Sequence, residues 1–148
     1  MSRNQIVVRT DPEDVFAVLD DAYAYPRWVV GTRRIRNVDP EWPAVGSKFH
    51  HAIGTAAAEL HDSSKILARE WPRRMGLEVR FRPTGVAHVD ITVEAARDGS
   101  LVTIEETPTA GPLSHLPRLM TDAPLSLRNA LSLRRFRREV ERRSARDF

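Results

Sequence analysis

Five polar side chains fall on faces that the local periodicity turns inward: His51, Asp62, Ser64, Glu106 and Asn129. Residues two apart on a strand share a face. His51 therefore goes with Phe49 and Ile53, Asp62 and Ser64 with Leu60, and Glu106 with Val102 and Ile104. Asn129 belongs to the apolar stripe of a helix. A histidine and a carboxylate on facing strands can serve as general base and general acid; His51 with Glu106 or Asp62 is the pair whose residue types suit that work. The same side chains can instead hold a ligand carbonyl or hydroxyl. They can also bond to backbone at strand ends or to one another, because an unpaired buried polar group costs about 1–3 kcal/mol.

The elements that must position these groups read from the chain in order. Asn4–Arg9, with Ile6-Val7-Val8, is a first strand. Thr10-Asp11-Pro12-Glu13 starts a helix that runs to about Asp20, either as a Thr10/Glu13 capping box or as an Asp11 cap with proline at the first helical position. Asp21–Tyr25 adds a short second helix ended by Pro26, and Trp28 follows at the turn. From Thr32 the pattern has period two: Arg33–Val38, Ser47–Ile53, Ala57–Arg69, Met75–Arg82, Val86–Ala95 and Leu101–Thr107, the last two joined by Asp98-Gly99. Met75, Leu77, Val79 and Phe81 face inward on one strand; Val89, Ile91 and Val93 do so on the next. The neighbours Ile66 and Leu67 break the alternation, which predicts a bulge. Pro108–Pro124 is a long, rather apolar loop with Leu113, Leu116, Leu119 and Met120, read as a lid over a cavity mouth.

Ala123–Arg143 is the long amphipathic helix, with Asp122 as cap and Pro124 in the first turn. Leu125, Asn129, Ser132, Phe136 and Val140 form its buried stripe, with Leu133 at the edge. Arg134, Arg138 and Glu141 lie opposite, and Arg135–Glu139 and Arg138–Glu141 are at pairing distance. Leu127 and Leu131 make a minor outer stripe, suited to packing under the preceding loop or to a homodimer contact. Asn129 and Ser132 inside the buried stripe suggest a helix closing over a sheet with a partly polar space between.

Composition bounds the function classes. The 148 residues are 41% hydrophobic and 29% charged, enough for one domain (residues 1–148) with a real core. Neither a membrane span nor a signal-peptide layout is present, so a cytoplasmic location is expected. Without cysteine there is no thiolate nucleophile or Cys-based metal site, and the five histidines lack ligand spacing. No Gly-rich phosphate loop or nucleophile elbow occurs, and no metal or cofactor is expected. The net charge of +3 owes its sign to residues 128–148, whose eight Arg against Glu139, Glu141 and Asp147 make +5, while residues 1–127 carry −2. That helix could meet an anionic partner, but aromatics to stack bases are missing except Phe136, so nucleic acid is not expected.

Strand, two short helices, six-strand antiparallel meander and long C-terminal helix is the order of the helix-grip fold, an α+β class. Tyr25-Pro26-Arg27-Trp28, Pro43-Ala44-Val45-Gly46-Ser47-Lys48-Phe49-His50-His51, Glu70-Trp71-Pro72, Thr107-Pro108-Thr109-Ala110-Gly111-Pro112 and Arg128-Asn129-Ala130-Leu131-Ser132-Leu133-Arg134-Arg135 resemble the START-like SRPBCC superfamily, nearest its bacterial polyketide cyclase/dehydrase-type members. The resemblance covers essentially the whole chain. It implies a curved sheet of about seven strands around the C-terminal helix, with a deep, mostly apolar cavity between them.

Three functions are then in play. The first is binding of a hydrophobic or amphipathic small molecule (lipid, polyketide or polycyclic aromatic), with Trp28, His51, Asp62, Ser64, Phe81, Glu106 and Asn129 as ligand-binding residues and Trp28 as either core aromatic or gate. The second is a polyketide cyclase or dehydratase using the inward His and carboxylate on a polyketone. The third is an interaction protein using the Arg-rich helix. Monomer and homodimer are both compatible with the sequence.

Overall fold

A computed structural model describes residues 1–81 and 85–146, with backbone alone for Leu113, Arg118, Leu119 and Thr121. The strand end expected at Arg82, the turn at Pro83-Thr84 and the charge of Asp147 lie outside the described residues.

The described elements are β1 (Ser2–Val8), α1 (Pro12–Asp20), a 3-10 turn (Ala22–Ala24), α2 (Tyr25–Trp28), β2 (Thr32–Val38), β3 (Lys48–Thr55), β4 (Ala58–Glu70), β5 (Arg74–Phe81), β6 (Gly85–Ala96), β7 (Gly99–Ala110), a second 3-10 turn (Pro112–His115) and α3 (Arg118–Arg146). All seven strands form one antiparallel sheet in the order β1-β7-β6-β5-β4-β3-β2. Chain neighbours pair as in a meander, except that β1 sits on β7 at the far edge from β2. The helical segment α1–α2 makes that crossing. The helix-grip fold expected from the sequence is the fold observed. The bulge expected near Ile66 is also present, as a register shift between Ile66 and Ala68.

α1 begins at Pro12 behind an extended Asp11 (φ −62°, ψ 149°), whose side chain makes no cap bond. Of the two expected starts, proline at the first position is the one used. The Thr10 hydroxyl is instead 3.2 Å from Ser144 Oγ on α3. Pro26 opens α2 rather than ending a helix: in a first turn its missing N–H has no intrahelical partner to lose.

The segment Pro108–Pro124 is the largest departure from expectation. β7 continues to Ala110, a 3-10 turn follows, and α3 starts at Arg118, five residues before the expected Ala123. Only Gly111, Leu116 and Pro117 fall outside regular elements. Pro124 thus lies inside the helix. Asp122 does not cap it but accepts from the Met1 amino group at 2.8 Å. The prolines had suggested interruption, whereas packing of the continuing helix on β1 and α2 overrides one lost backbone bond.

The core lies between the concave sheet face and the helices. Val15, Phe16, Val18 and Leu19 of α1 are buried, as are Leu133, Phe136 and Val140 of α3 and Ile66, Met75, Ile91 and Val102 of the sheet. Each such side chain contributes about 1.5–3 kcal/mol of burial. Leu133 is fully inside rather than at the stripe edge. Leu60, expected inward, is 50% exposed. Leu127 and Leu131 are exposed, so neither packs under the preceding loop.

Glu139 ties the helices together. It is buried, and its carboxylate accepts from Arg27 of α2 (2.9 Å), Arg142 (2.6 Å) and Arg143 (3.0 Å). The Arg135–Glu139 pair expected on an exposed face is replaced by this inner cluster, since Glu139 lies one residue before Val140 on the covered side. Glu141 likewise accepts from the Arg9 backbone N–H at 3.1 Å, with no described bond to Arg138. Burial alone would raise the Glu139 carboxyl, but its arginine bonds outweigh that and bring it down to about 2. A depressed folded-state value means stability that is present above the ordinary carboxylate range near 4.5 and lost as pH falls toward 2. The urea midpoint of Glu139→Gln should therefore lie below that of the parent at pH 5, and the gap should shrink steadily as the pH is lowered from 4.5 toward 2. A gap that does not change with pH would rule this linkage out.

Candidate functional site

The sheet is too curved for its side chains to meet α3 everywhere, and a cavity of about 340 Å³ remains between them. Its apolar walls come from Phe49 and Ile53 on β3, Leu77, Val79 and Phe81 on β5, Val89 and Ile91 on β6, and Ile104 on β7. The α2–β2 loop (Val29, Val30, Gly31) and Leu125 of α3 complete them. This is the expected alternation at work: residues of one phase on four strands converge because the sheet bends around the helix. Among the residues from Pro108 to Pro124 whose side chains are described, none lines the cavity; the expected lid rests partly on Leu113 and Leu119, whose side chains lie outside the described ones.

Six of the seven residues singled out from sequence line the cavity: Trp28, His51, Ser64, Phe81, Glu106 and Asn129. Asp62 does not. It is buried directly opposite His51 in the β3–β4 register, and its Oδ1 accepts from the Ser63 N–H at 2.9 Å. His51 and Asp62 are therefore cross-strand neighbours, whereas His51 and Glu106 stand on strands four steps apart. At about 4.8 Å per strand that is ~19 Å measured along the sheet, which only its curvature shortens. The two candidate acid–base pairs are thus not equivalent, and His51–Asp62 is the adjacent one.

Trp28 is at once core and wall. Its ring is 5.0 Å from Tyr25 and 4.9 Å from Phe136, and its Nε1–H has no partner among the described residues. Tyr25 completes the aromatic cluster, donating from its hydroxyl to Leu19 O at 2.7 Å. Burial, then the nearby Asp20 and Asp21 carboxylates, raise this phenol, which stays protonated.

His51 is buried, with neither ring nitrogen hydrogen-bonded to the described protein. Burial pushes its imidazole below the usual value, and the Asp62 carboxylate offsets only part of that. At neutral pH the ring is therefore uncharged, with one nitrogen to donate and one to accept.

Glu106 is 1% exposed. Its Oε1 accepts from Asn129 Nδ2 at 3.1 Å and from Arg128 Nη1 at 3.4 Å, while Oε2 has no partner among the described residues. Asn129 Nδ2 also reaches Ser2 Oγ at 3.2 Å. Arg128 Nε donates to Val30 O (3.0 Å), and the Val30 N–H donates to Ser132 Oγ (3.0 Å). These two bonds pin the α2–β2 loop to α3 at the cavity edge.

Arg128 and Ser132 are site residues that sequence reasoning passed over. Ser132 was visible as a polar residue in a buried stripe. Arg128 was not, because its α-carbon lies off that stripe and only the length of the side chain brings the guanidinium back to Glu106.

A second, shallower basin is lined by Arg27, Arg135, Arg138, Glu139 and Arg142. Among the described residues no group of three or more His, Cys, Asp or Glu could hold a metal ion, and no helix is long and apolar enough to cross a membrane.

Comparison with known proteins agrees with this geometry. Protein CV1439 from Chromobacterium violaceum superposes with a TM-score of 0.70 at 19% identity, over 94% of this chain and 96% of its own. Ara h 8.0201 gives 0.72 at 14% identity, over 93% and 95%. StfQ, a di-domain ARO/CYC from the steffimycin biosynthetic pathway, gives 0.72 at 17% identity, over 97% of this chain and 51% of its own. No match is found among proteins of curated function. These likenesses show the fold. A family model described as polyketide cyclase / dehydrase and lipid transport matches residues 2–141, and the chain belongs to that family.

Proposed function

We propose that the protein binds a hydrophobic or amphipathic small molecule (a lipid, polyketide or polycyclic aromatic) in the cavity between sheet and α3. The observation that carries this reading is the cavity itself: about 340 Å³ walled by aliphatic and aromatic side chains, with a few polar groups at set positions. A folded core normally closes such voids, because each forfeits packing contacts. Membership of a family described by polyketide and lipid chemistry supports it. Native mass spectrometry of freshly purified protein, followed by titration with fatty acids and polycyclic aromatics, tests it. A bound mass of a few hundred daltons or a saturable titration is expected; protein that is ligand-free and ignores the whole panel overturns the reading.

A second reading, acid–base catalysis of cyclisation or dehydration, is favoured by one observation: a neutral, buried His51 on the cavity wall, with Asp62 opposite. Here His51 takes or gives the proton and Asp62 steadies the imidazolium that forms. His51→Ala separates the two readings. For a binding protein it changes affinity and there is no turnover to lose. For an enzyme, product formation should fall roughly 100-fold or more while ligand still binds.

A further inference from the structure

We propose that the basin between α2 and α3 is a second site, independent of the cavity, that takes a compact soluble anion carrying two or more phosphate charges, such as a di- or triphosphate group. It is an open depression of about 250 Å³ lined by Arg27 of α2 and by Arg135, Arg138, Glu139 and Arg142 of α3. Four guanidinium groups against one carboxylate give it a net charge of +3. Residues 135, 138 and 142 are three and four apart, so they share one face of α3. Arg27 joins them from the neighbouring helix.

The four arginines divide into two pairs. Glu139, itself 5% exposed, accepts from Arg27 Nη1 at 2.9 Å and from Arg142 Nη2 at 2.6 Å. That carboxylate holds two guanidinium groups in place and leaves each with further N–H groups to donate. Its third donor, Arg143, does not line the basin and is also matched by Asp21 at 2.7 Å. Arg135 and Arg138 are exposed and make no hydrogen bond or ion pair among the described residues. Like charges at this spacing repel along a helix, and a bound anion supplies the missing counter-charge. Guanidinium forks match the paired oxygens of a phosphate, and a single carboxylate leaves most of the +3 unmatched. Donors from two helices around one concavity suit a compact group. A nucleic-acid strand calls instead for a basic track with aromatics to stack its bases, and the basin has no aromatic in its lining.

The test is calorimetric titration of the intact protein at pH 7 and constant ionic strength with pyrophosphate, sulfate and acetate. Pyrophosphate should bind roughly 10-fold more tightly than sulfate, and acetate should not register, as the charges of the three ions require. The double variant Arg135→Gln/Arg138→Gln should weaken pyrophosphate binding by roughly 10-fold or more, the combined effect of two exposed ion pairs at the upper end of their range. Arg134→Gln/Arg137→Gln removes the same charge from the same helix outside the basin lining and should weaken it less than about threefold, because salt screens the more distant charges. None of these four side chains makes a described bond, so both variants should fold as the parent does. An equal loss in the two variants overturns the proposal in favour of a diffuse basic surface. So does pyrophosphate binding no tighter than sulfate, or no binding at all. Tighter binding of a single-stranded oligonucleotide, or of vesicles containing phosphatidate, than of pyrophosphate overturns the assignment to a compact soluble anion. Titration of the cavity with fatty acids and polycyclic aromatics should be the same in both variants and the parent, so failure here leaves the binding reading above untouched.

Discussion

Phe136→Ala is expected to destabilise the protein by about 3–5 kcal/mol, read as a lowered urea midpoint with an unchanged slope. Phe136 is among the largest fully buried side chains and sits on the covered face of α3, its ring 4.9 Å from Trp28. Removing it leaves a void where α3 meets α2, and the surrounding aromatics are braced against one another: Tyr25 lies 4.8 Å from Phe49 and Trp42 5.1 Å from Phe49. Such a cluster collapses poorly into a hole, which places the cost in the upper part of the usual range. Because Trp28 also lines the cavity, the substitution should alter ligand affinity and indole emission together. A loss under 1 kcal/mol would show that α3 can settle into the gap, and the rigid aromatic brace would have to be abandoned.

The second large effect is expected at Gly99→Ala, a change of one methyl group. Gly99 follows the two-residue link between β6 and β7 and has φ +151°, where L side chains rarely sit. A Cβ there would land on Val8 O inside van der Waals contact, with Thr10 N at 2.8 Å and Arg9 Cα at 2.9 Å. All three are backbone atoms just where β1 leaves the sheet, so no side chain can swing aside. The backbone conformation alone costs about 1–3 kcal/mol, and the overlap adds to it by displacing the end of β1 from β7. Besides a lower melting temperature, amide exchange should accelerate in Ser2–Val8 ahead of the other strands. Near-neutral stability with β1 still protected would mean the hairpin relaxes around the methyl, contrary to the geometry.

The two sites differ in how far sequence could anticipate them. Asp98-Gly99 announced a hairpin at this place, but one residue off: the link is Arg97-Asp98, and Gly99 opens β7 paired with Ala96. Nothing in the sequence marked the approach of Val8, some ninety residues earlier, which depends on β1 lying beside β7. Strand periodicity was informative wherever one face is covered. The inward phase of His51, Ser64, Phe81 and Glu106 held because a one-residue slip would reverse every side chain on the strand. It misled at Leu60, which shares the phase of buried Asp62 and Ser64 yet is half exposed.

Proline punctuation was a weaker guide. Pro26 and Pro124 were assigned roles by local rule, and each rule competes with packing energy. At Pro124 packing prevailed, so α3 runs through it.

The sequence by itself determined the antiparallel meander, the amphipathic C-terminal helix and the set of polar residues that face inward, because these depend on spacing along the chain. Only the tertiary structure decided which of those residues meet. It placed Asp62 opposite His51, set Glu106 four strands away under Asn129 and Arg128, and drew Glu139 into a buried arginine cluster. The physical reason is that strand phase gives each side chain a face, while distance across the fold depends on sheet curvature and on the angle at which α3 crosses it. Those are collective properties of the packed core.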